Sequence, residues 1–544
     1  MRISPIYSDG MIIERNRENI VEAVSKPGAE IEVIFDGESF AVKAGDDGKW
    51  SVKLSARPAG GPFTMTINDG EEVLTVSDIY VGDVILLAGQ SNMELPVCRT
   101  LDLYKKDLEG VNYPQIRMFQ LPKEASFGEP DEILRSGSWI KATLPAVMDF
   151  SAVGFYFAQK KFDEDGVPVG LVHAAVGGTH IEAFMSEEKV IEAGRMNRIR
   201  AVRAGRSLEC TCLPNDSCKM CYEEIIERDK KPGFVEETVR AEMSDMMKWF
   251  EKLGRDDYGV RGNWQDHEWN EEELKDAFVV DVPSSWINIP LGKMKGSVWV
   301  QRTIDIPEEF AGKAAQLRLG TIVDADDTYV NGTLVGHTDY FYPPRRYDVP
   351  EGLLKAGRNV ITVRVIINNN VGEFKTEMPY CLKFGDDEIS LEGKWFARIA
   401  AVEKPMGGQT FFFWHPTSLY NTMIYPVRNI SFGAIFFYQG ESNTRYPDDF
   451  EFLMVDMIDE FRSLFGEDTP FVFAELPDFE GETWEQPGDD GWNRMRRSQR
   501  RAAKTRDNVE MVLMYDLGQR NEIHTQNKKL VGARFLEAYK KLQQ

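Results

Sequence analysis

The chain has 544 residues, with 64 lysines and arginines against 88 aspartates and glutamates, a net charge of −24. At roughly 150 residues per domain that length suggests three or four domains, and with no basic run to neutralise a phosphate backbone, nucleic acid is excluded as the expected partner. Hydrophobic residues make up 42% and aromatics 11%, enough to build packed cores and to exclude disorder over most of the chain.

No stretch approaches the ~20 apolar residues of a membrane span. Met1 to Arg15 mixes apolar and charged residues, with neither a basic n-region nor an apolar h-region. The expectation is a cytoplasmic protein with no membrane partner and an unknown oligomeric state.

Residues 1–78 read as an all-β unit. Ile31, Val33 and Phe35 alternate with other residues, as do Trp50, Val52 and Leu54 and then Phe63, Met65 and Ile67, with Asp46-Asp47-Gly48 and Gly60-Gly61-Pro62 between the runs. Period two with turn punctuation predicts antiparallel hairpins forming a β-sandwich. The pattern then changes to a continuous apolar run, Val84 to Ala88, which suits a strand covered on both faces. Val169 to Val176, Ala434 to Tyr438, Pro470 to Leu476 and Val509 to Tyr515 are similar, with helical stretches at Phe450 to Phe465 and Trp492 to Ala503. Strands alternating with helices predict an α/β domain, in two parts, 79–185 and 396–544.

Two segments separate those parts. Residues 186–280 carry helical periodicity and heavy charge, including Phe234 to Leu253, and hold Cys210, Cys212, Cys218 and Cys221. Residues 281–395 return to β periodicity, and Asn331-Gly332 between apolar runs is a strong hairpin signal, because both residues tolerate positive φ. A second β-sandwich is expected there.

The chemistry-bearing residues lie just after predicted strands, where open α/β sheets bind ligands. Ser91, in Gly89-Gln90-Ser91-Asn92-Met93, is placed for a nucleophile, although Ser and Asn also cap helices. The glycines of Val176-Gly177-Gly178-Thr179 allow close backbone approach, and the Gly177 amide could face an oxyanion. Gln439 and Asn443, in Gln439-Gly440-Glu441-Ser442-Asn443, offer uncharged amide donors. His524, near Glu522, could serve as the general base that a serine nucleophile needs.

Together these four segments resemble the blocks of the SGNH hydrolases, in particular the sialate O-acetylesterase-like carbohydrate acetylesterases. The resemblance extends to Leu419-Tyr420-Asn421, Met423-Ile424, Asn527-Lys528 and Val531-Gly532, and covers most of the chain. It implies a flavodoxin-like three-layer hydrolase domain with Ser91 as nucleophile, His524 as base, and the amides of Ser91 and Gly177 with the Gln439 side chain as oxyanion hole. Gln90, Asn443 and Arg445 are the expected substrate contacts, Arg445 being a partner for a sialate carboxylate. The expected activity is removal of O-acetyl groups from xylo- or manno-oligosaccharides or sialic acid, and the net charge favours a neutral sugar.

Two departures matter. Thr525 stands where the family usually has proline, and Asn521 stands where it has the catalytic aspartate. Glu522 is the expected substitute, with Glu441 in reserve and a Ser-His dyad as a third option. The irregular acid leaves a second reading open, a carbohydrate-binding protein on an esterase scaffold. Residues 281–395 resemble galactose-binding-like domains through Asp324, Asp327 to Gly332 and Tyr342 to Tyr347. Aromatics near Tyr340 to Tyr347 could stack on sugar rings or serve as packing. The four clustered cysteines could hold a structural Zn²⁺, and no cofactor is expected for catalysis.

Overall fold

The computed structural model describes residues 1–204, 221–479, 490–518 and 522–543. They form two compact units: Met1–Val235, Phe411–Gln519 and His524–Gln544 in the first, Glu236–Thr410 with Arg520–Ile523 in the second.

The first unit is organised by one long strand, β1 (Val73–Gly89), whose burial alternates at the start and is unbroken from Val81 to Gly89. The change marks a passage between two environments. The early residues pair antiparallel with Gly60–Asn68 on a sheet with one solvated face, and the later ones lie in the middle of a parallel sheet covered on both sides. The domain boundary expected at residue 78 therefore falls inside a single strand. Around its first half, Glu30–Phe35 pairs antiparallel with Glu38–Lys43 and with Gly60–Asn68, and Asn19–Val24 pairs antiparallel with Lys49–Leu54.

The sheet continues with β2 (Asn112–Gln120), β3 (Trp139–Thr143), β4 (Val169–Ala175), β5 (Ala434–Tyr438), β6 (Phe471–Ala474) and β7 (Val509–Val512). Their spatial order is β3-β2-β4-β1-β5-β6-β7. All neighbours are parallel except β3, which runs antiparallel at one edge. The apolar runs anticipate β1, β4, β5, β6 and β7. They miss β2 and β3, because an edge pair half open to solvent has no continuous apolar run to show.

Alternate side chains of β5 point to opposite faces. Phe436 packs against Phe157 of α1 (Ala152–Asp165), while Phe437 meets Phe471, which in turn meets Phe461 of α2 (Phe450–Phe465). Helix α3 (Gly491–Ala502) packs on α2. Helix α4 (Lys528–Lys541) lies against α1 with Phe436 and Phe535 in a shared core. Gly532 permits this approach, since a Cβ there would sit 2.6 Å from the Phe157 amide nitrogen. The result is a three-layer α/β arrangement.

In the second unit, a six-stranded antiparallel sheet and a four-stranded one share a core that joins Val298, Val363 and Trp395 to Leu317 and Leu382. This is a β-sandwich whose strands run as late as Val402. Val330 pairs with Thr333 around Asn331 (φ 49°) and Gly332 (φ 83°), as a two-residue hairpin turn requires. The aromatic run is held from inside: buried Arg345 donates to the carbonyls of Phe341 (3.1 Å) and Pro343 (2.7 Å) and to Asp326 Oδ1 (2.7 Å), leaving Tyr340 and Tyr342 exposed. The expected helix at Phe234 runs to Asp256, and no described helix is long and apolar enough to cross a membrane.

At the N-terminal end of the parallel sheet, buried Glu14 accepts from the Val84 amide at 2.7 Å. Burial, and then the charge of Asp83, push its carboxyl up to about 8, from an ordinary 4.5. Between those values the folded protein holds a proton that the unfolded chain has released, so this group's contribution to stability falls as pH rises through that window. Urea unfolding across it should show Glu14→Gln losing less stability than wild type, because the amide oxygen still accepts from Val84.

Candidate active site

Three strands end level. Ala175 of β4 and Tyr438 of β5 are both in register with Gly89, the last residue of β1 between them. The chain leaves β1 toward one side of the sheet and returns on the other at β5, so their loops diverge and open a crevice beyond the strand ends. Gly89 has φ 129°, and a Cβ on it would stand 2.2 Å from the Tyr438 carbonyl oxygen. Only glycine fits there. The Gln90 amide then donates to that same oxygen at 2.9 Å, and one helical turn, Ser91–Glu94, begins with Ser91 half-buried.

The glycine loop faces this turn. A Cβ on Gly177 would lie 3.7 Å from Ser91 Cβ, and one on Gly178 would enter the Trp414 indole at 2.4 Å. Trp414 Nε1 donates to the Gly177 carbonyl at 2.9 Å, which holds the Gly177–Gly178 peptide next to the one that carries the Gly177 amide hydrogen. Among the described residues, the backbone amides of Ser91 and Gly177 donate to nothing, so both are available to a ligand.

Gln439 does different work from that expected. Its Nε2 donates both hydrogens, to Thr179 O at 3.0 Å and to Asn443 Oδ1 at 2.6 Å. Both partners are oxygens, so the amide cannot be turned round. Gln439 is fully buried and braces the glycine loop, which leaves it no proton for an oxyanion. Asn443 Nδ2 donates to Glu182 Oε2 at 2.9 Å, and Glu182 Oε1 accepts from Tyr222 at 2.6 Å. Asn443 thus belongs to a buried polar network. Gln90 is also buried, with its Oε1 accepting from the Ser442 amide at 3.3 Å.

Asn92, beside Ser91, donates through Nδ2 to Glu441 Oε1 and accepts at Oδ1 from Lys528 Nζ, both at 2.5 Å. Burial raises the Glu441 carboxyl above its ordinary range, with hydrogen bonding by Asn92 acting against it. His524 is half-buried. Burial, followed by the positive charges of Lys528 and Arg99, lowers its imidazole to about 3. Glu522 falls in the segment grouped with the second unit, while His524 belongs to the first. Arg445 is exposed, with its guanidinium 5.5 Å from the Tyr446 ring centroid. Cys210, Cys212 and Cys218 lie outside the described residues, so only Cys221 of the zinc candidates is seen, as a free thiol preceding Tyr222–Asp229.

Sequence reasoning missed Trp414, Glu182 and Tyr222. Trp414 had one signal, the aromatic run Phe411 to Trp414, which nothing in the local pattern ties to Gly177.

Comparisons with known proteins identify the family and a likeness of fold. A family model described as a carbohydrate esterase, sialic acid-specific acetylesterase, matches residues 81–212 and 380–541, more than half of the chain. The chain belongs to this acetylesterase family. It is 27% identical to the sialate O-acetylesterase of Mus musculus over 222 residues, covering 38% of this chain and 41% of that protein. With the sialate O-acetylesterase of Pongo abelii the identity is 30% over 211 residues, covering 36% and 40%. The match thus spans about two fifths of each relative's length. Among solved structures, a carbohydrate acetylesterase from Xanthomonas citri superposes with a TM-score of 0.54 at 20% identity, covering 98% of this chain and 73% of that one. At that identity the likeness is one of fold. The split family match, interrupted by residues 213–379, parallels the insertion that separates β4 from β5.

Gly178→Ala tests the glycine loop. Its methyl would enter a fixed indole and displace the Gly177 peptide, whereas a methyl on Gly177 would chiefly meet the movable end of Glu94 at 2.9 Å. With the Gly177 amide in the role of an oxyanion donor, as the sequence resemblance implies, Gly178→Ala should lower kcat for 4-nitrophenyl acetate hydrolysis by about 10- to 100-fold, with Gly177→Ala milder and both variants folded by circular dichroism.

Proposed function

We propose that this chain is a serine O-acetylesterase acting on acetylated carbohydrate, with SGNH-type organisation of its first unit. The observation that carries the reading is the meeting of Ser91 with the uncommitted amides of Ser91 and Gly177 at the level ends of adjacent parallel strands. Ser91 Oγ attacks the acetyl carbonyl carbon. His524 takes the hydroxyl proton and later gives it to the departing sugar oxygen, and water hydrolyses the acetyl-enzyme in the second half-reaction. The two amides hold the tetrahedral oxyanion, each such donor being worth about 3 kcal/mol in the transition state. Gln439 supports that geometry from behind.

The low basicity of His524 makes a particular demand. The imidazole is neutral and ready to accept a proton across the ordinary pH range, but the imidazolium it forms is disfavoured beside Lys528 and Arg99. A carboxylate that stabilises the cation is therefore needed, and Glu522 is proposed for that role. The sandwich of the second unit is read as galactose-binding-like, with no part in bond breaking. The substrate is read as an acetylated oligosaccharide of xylose or mannose, or O-acetylated sialic acid, in which case Arg445 pairs with the sugar's carboxylate.

Ser91→Ala should abolish acetate release from 4-nitrophenyl acetate, and undiminished release would refute the mechanism. Because the base must be neutral, kcat/KM should fall only well below the ordinary histidine value of 6.5, so the pH–rate profile should stay flat from neutral pH down through that value. Acetate release from acetylated xylo-oligosaccharides, manno-oligosaccharides and O-acetylated sialic acid, compared in wild type and Arg445→Ala, assigns the sugar. A rise in KM confined to the sialic acid substrate supports the carboxylate contact. Sugar binding without hydrolysis at any pH would instead mark a binding protein.

A further inference from the structure

Three loops that carry the proposed chemistry each contribute one fully or nearly buried polar residue to a single cluster. Asn92 follows Ser91, Glu441 lies two residues beyond Gln439, and Lys528 lies four residues beyond His524 as the first residue of α4. Asn92 and Lys528 have no exposed surface and Glu441 has 7%. The Asn92 amide sits between an acceptor and a donor that are both ionisable: its NH₂ meets Glu441 and its oxygen meets the Lys528 ammonium. The ammonium is also 5.1 Å from the centre of the Tyr438 ring. Glu441 Oε2 is buried with no hydrogen-bond partner among the described residues.

We propose that Asn92, Glu441 and Lys528 form a clamp of fixed polarity that positions Ser91 relative to His524. This inference rests on the Ser91–His524 reading above. Asn92 is suited to the centre of such a clamp because a neutral amide can satisfy a carboxylate at one end and an ammonium at the other. Neither charge moves, and the helical turn bearing Ser91 is tied at once to the loop after β5 and to the start of α4. These are positioning residues, since they act on the chemistry through the Ser91 turn.

The polarity gives the clamp a signature that simple packing lacks. Asn92→Asp puts a carboxylate against Glu441, and two carboxylates in hydrogen-bond contact cannot both ionise without water. A proton must be held between them, and raising the pH removes it. The groups facing this pair are Lys528 and Tyr438, with His524 and Arg99 beyond Lys528. Lys528 lowers the cost of the new carboxylate at its own side, while the new carboxylate itself carries no hydrogen to give Glu441. Adding Glu441→Gln restores one, because the glutamine amide donates to the new carboxylate.

The experiment measures 4-nitrophenyl acetate hydrolysis and melting temperature between about pH 6 and about pH 9, using the full chain. Asn92→Asp should lose kcat progressively as pH rises, by about 100-fold relative to wild type at the alkaline end, with KM changed less than about threefold. Its melting temperature should fall over the same range. Glu441→Gln alone, whose oxygen still accepts from Asn92, is the reference for the double variant, and the double variant should lose the alkaline decline of Asn92→Asp in both readouts and follow the profile of Glu441→Gln. Lys528→Met should lower kcat by about tenfold or more with KM unchanged, as the bond from the ammonium that ties the Ser91 turn to the start of α4 is lost.

A profile for Asn92→Asp parallel to wild type, or a folded double variant no better than Asn92→Asp alone, would overturn the clamp while leaving the esterase reading intact. If Asn92→Asp does not fold, the double variant and Lys528→Met decide: failure of the double variant to fold, or full kcat in Lys528→Met, overturns the proposal. Ser91→Ala, run alongside, isolates the reading beneath it, because an active Ser91→Ala removes the catalytic assignment whatever the clamp variants do.

Discussion

The site depends on backbone contact more than on any side chain. Gly89 lies so close to the Tyr438 carbonyl that the strands bearing the Ser91 loop and the loop after β5 touch main chain to main chain. Because Ala175, Gly89 and Tyr438 share one register, loops from distant parts of the sequence begin at the same height. Serine, glycine amide and supporting amides then need reach only a few ångströms to meet. A side chain at position 89 would push the strands apart and separate these groups together, which is why a glycine precedes the Gln90-Ser91 pair.

Around that contact the structure builds with neutral amides. Gln499 donates to the Gln439 carbonyl at 3.0 Å and accepts from the Leu476 amide at 3.0 Å, joining the loops after β5 and β6. Gln439 joins the loop after β5 to the glycine loop, and Gln90 joins the nucleophile loop to Ser442. Each amide supplies donor and acceptor without a charge, so the region stays buried without the large desolvation penalty of ions. The charges that do occur, Glu182, Glu441 and Lys528, are each held by an amide or hydroxyl.

Much of this was legible in the sequence, for a physical reason. A strand covered on both faces must be apolar throughout, so β1, β4, β5, β6 and β7 declare themselves, and the polar residues that follow them stand out as the loops that carry function. Asn331-Gly332 and α2 were visible for equally local causes, turn stereochemistry and a 3.6-residue period. What was not legible is whatever depends on a partner distant in sequence. Edge strand β3 has mixed polarity and needs β2 beside it to be recognised. Gln439 carries the donor chemistry of an oxyanion hole, and only the positions of Thr179 O and Asn443 Oδ1 reveal that both its hydrogens are engaged. Likewise nothing near His524 announces Arg99, whose charge helps to depress its basicity, and nothing in the aromatic run from Phe411 points to Gly177.

The long strand β1 also decides how separable the N-terminal layer is. Residues that pair in the early antiparallel sheet continue, without a linker, into the strand that ends two residues before Ser91. The layer is thus no appended module, since removing it would leave β1 without the strands that hold its first half and would take Glu14 away from the Val84 amide at that end of the parallel sheet. Disturbance of the N-terminal hairpins has a covalent, hydrogen-bonded path to Ser91, and the two sheets should melt as one cooperative block.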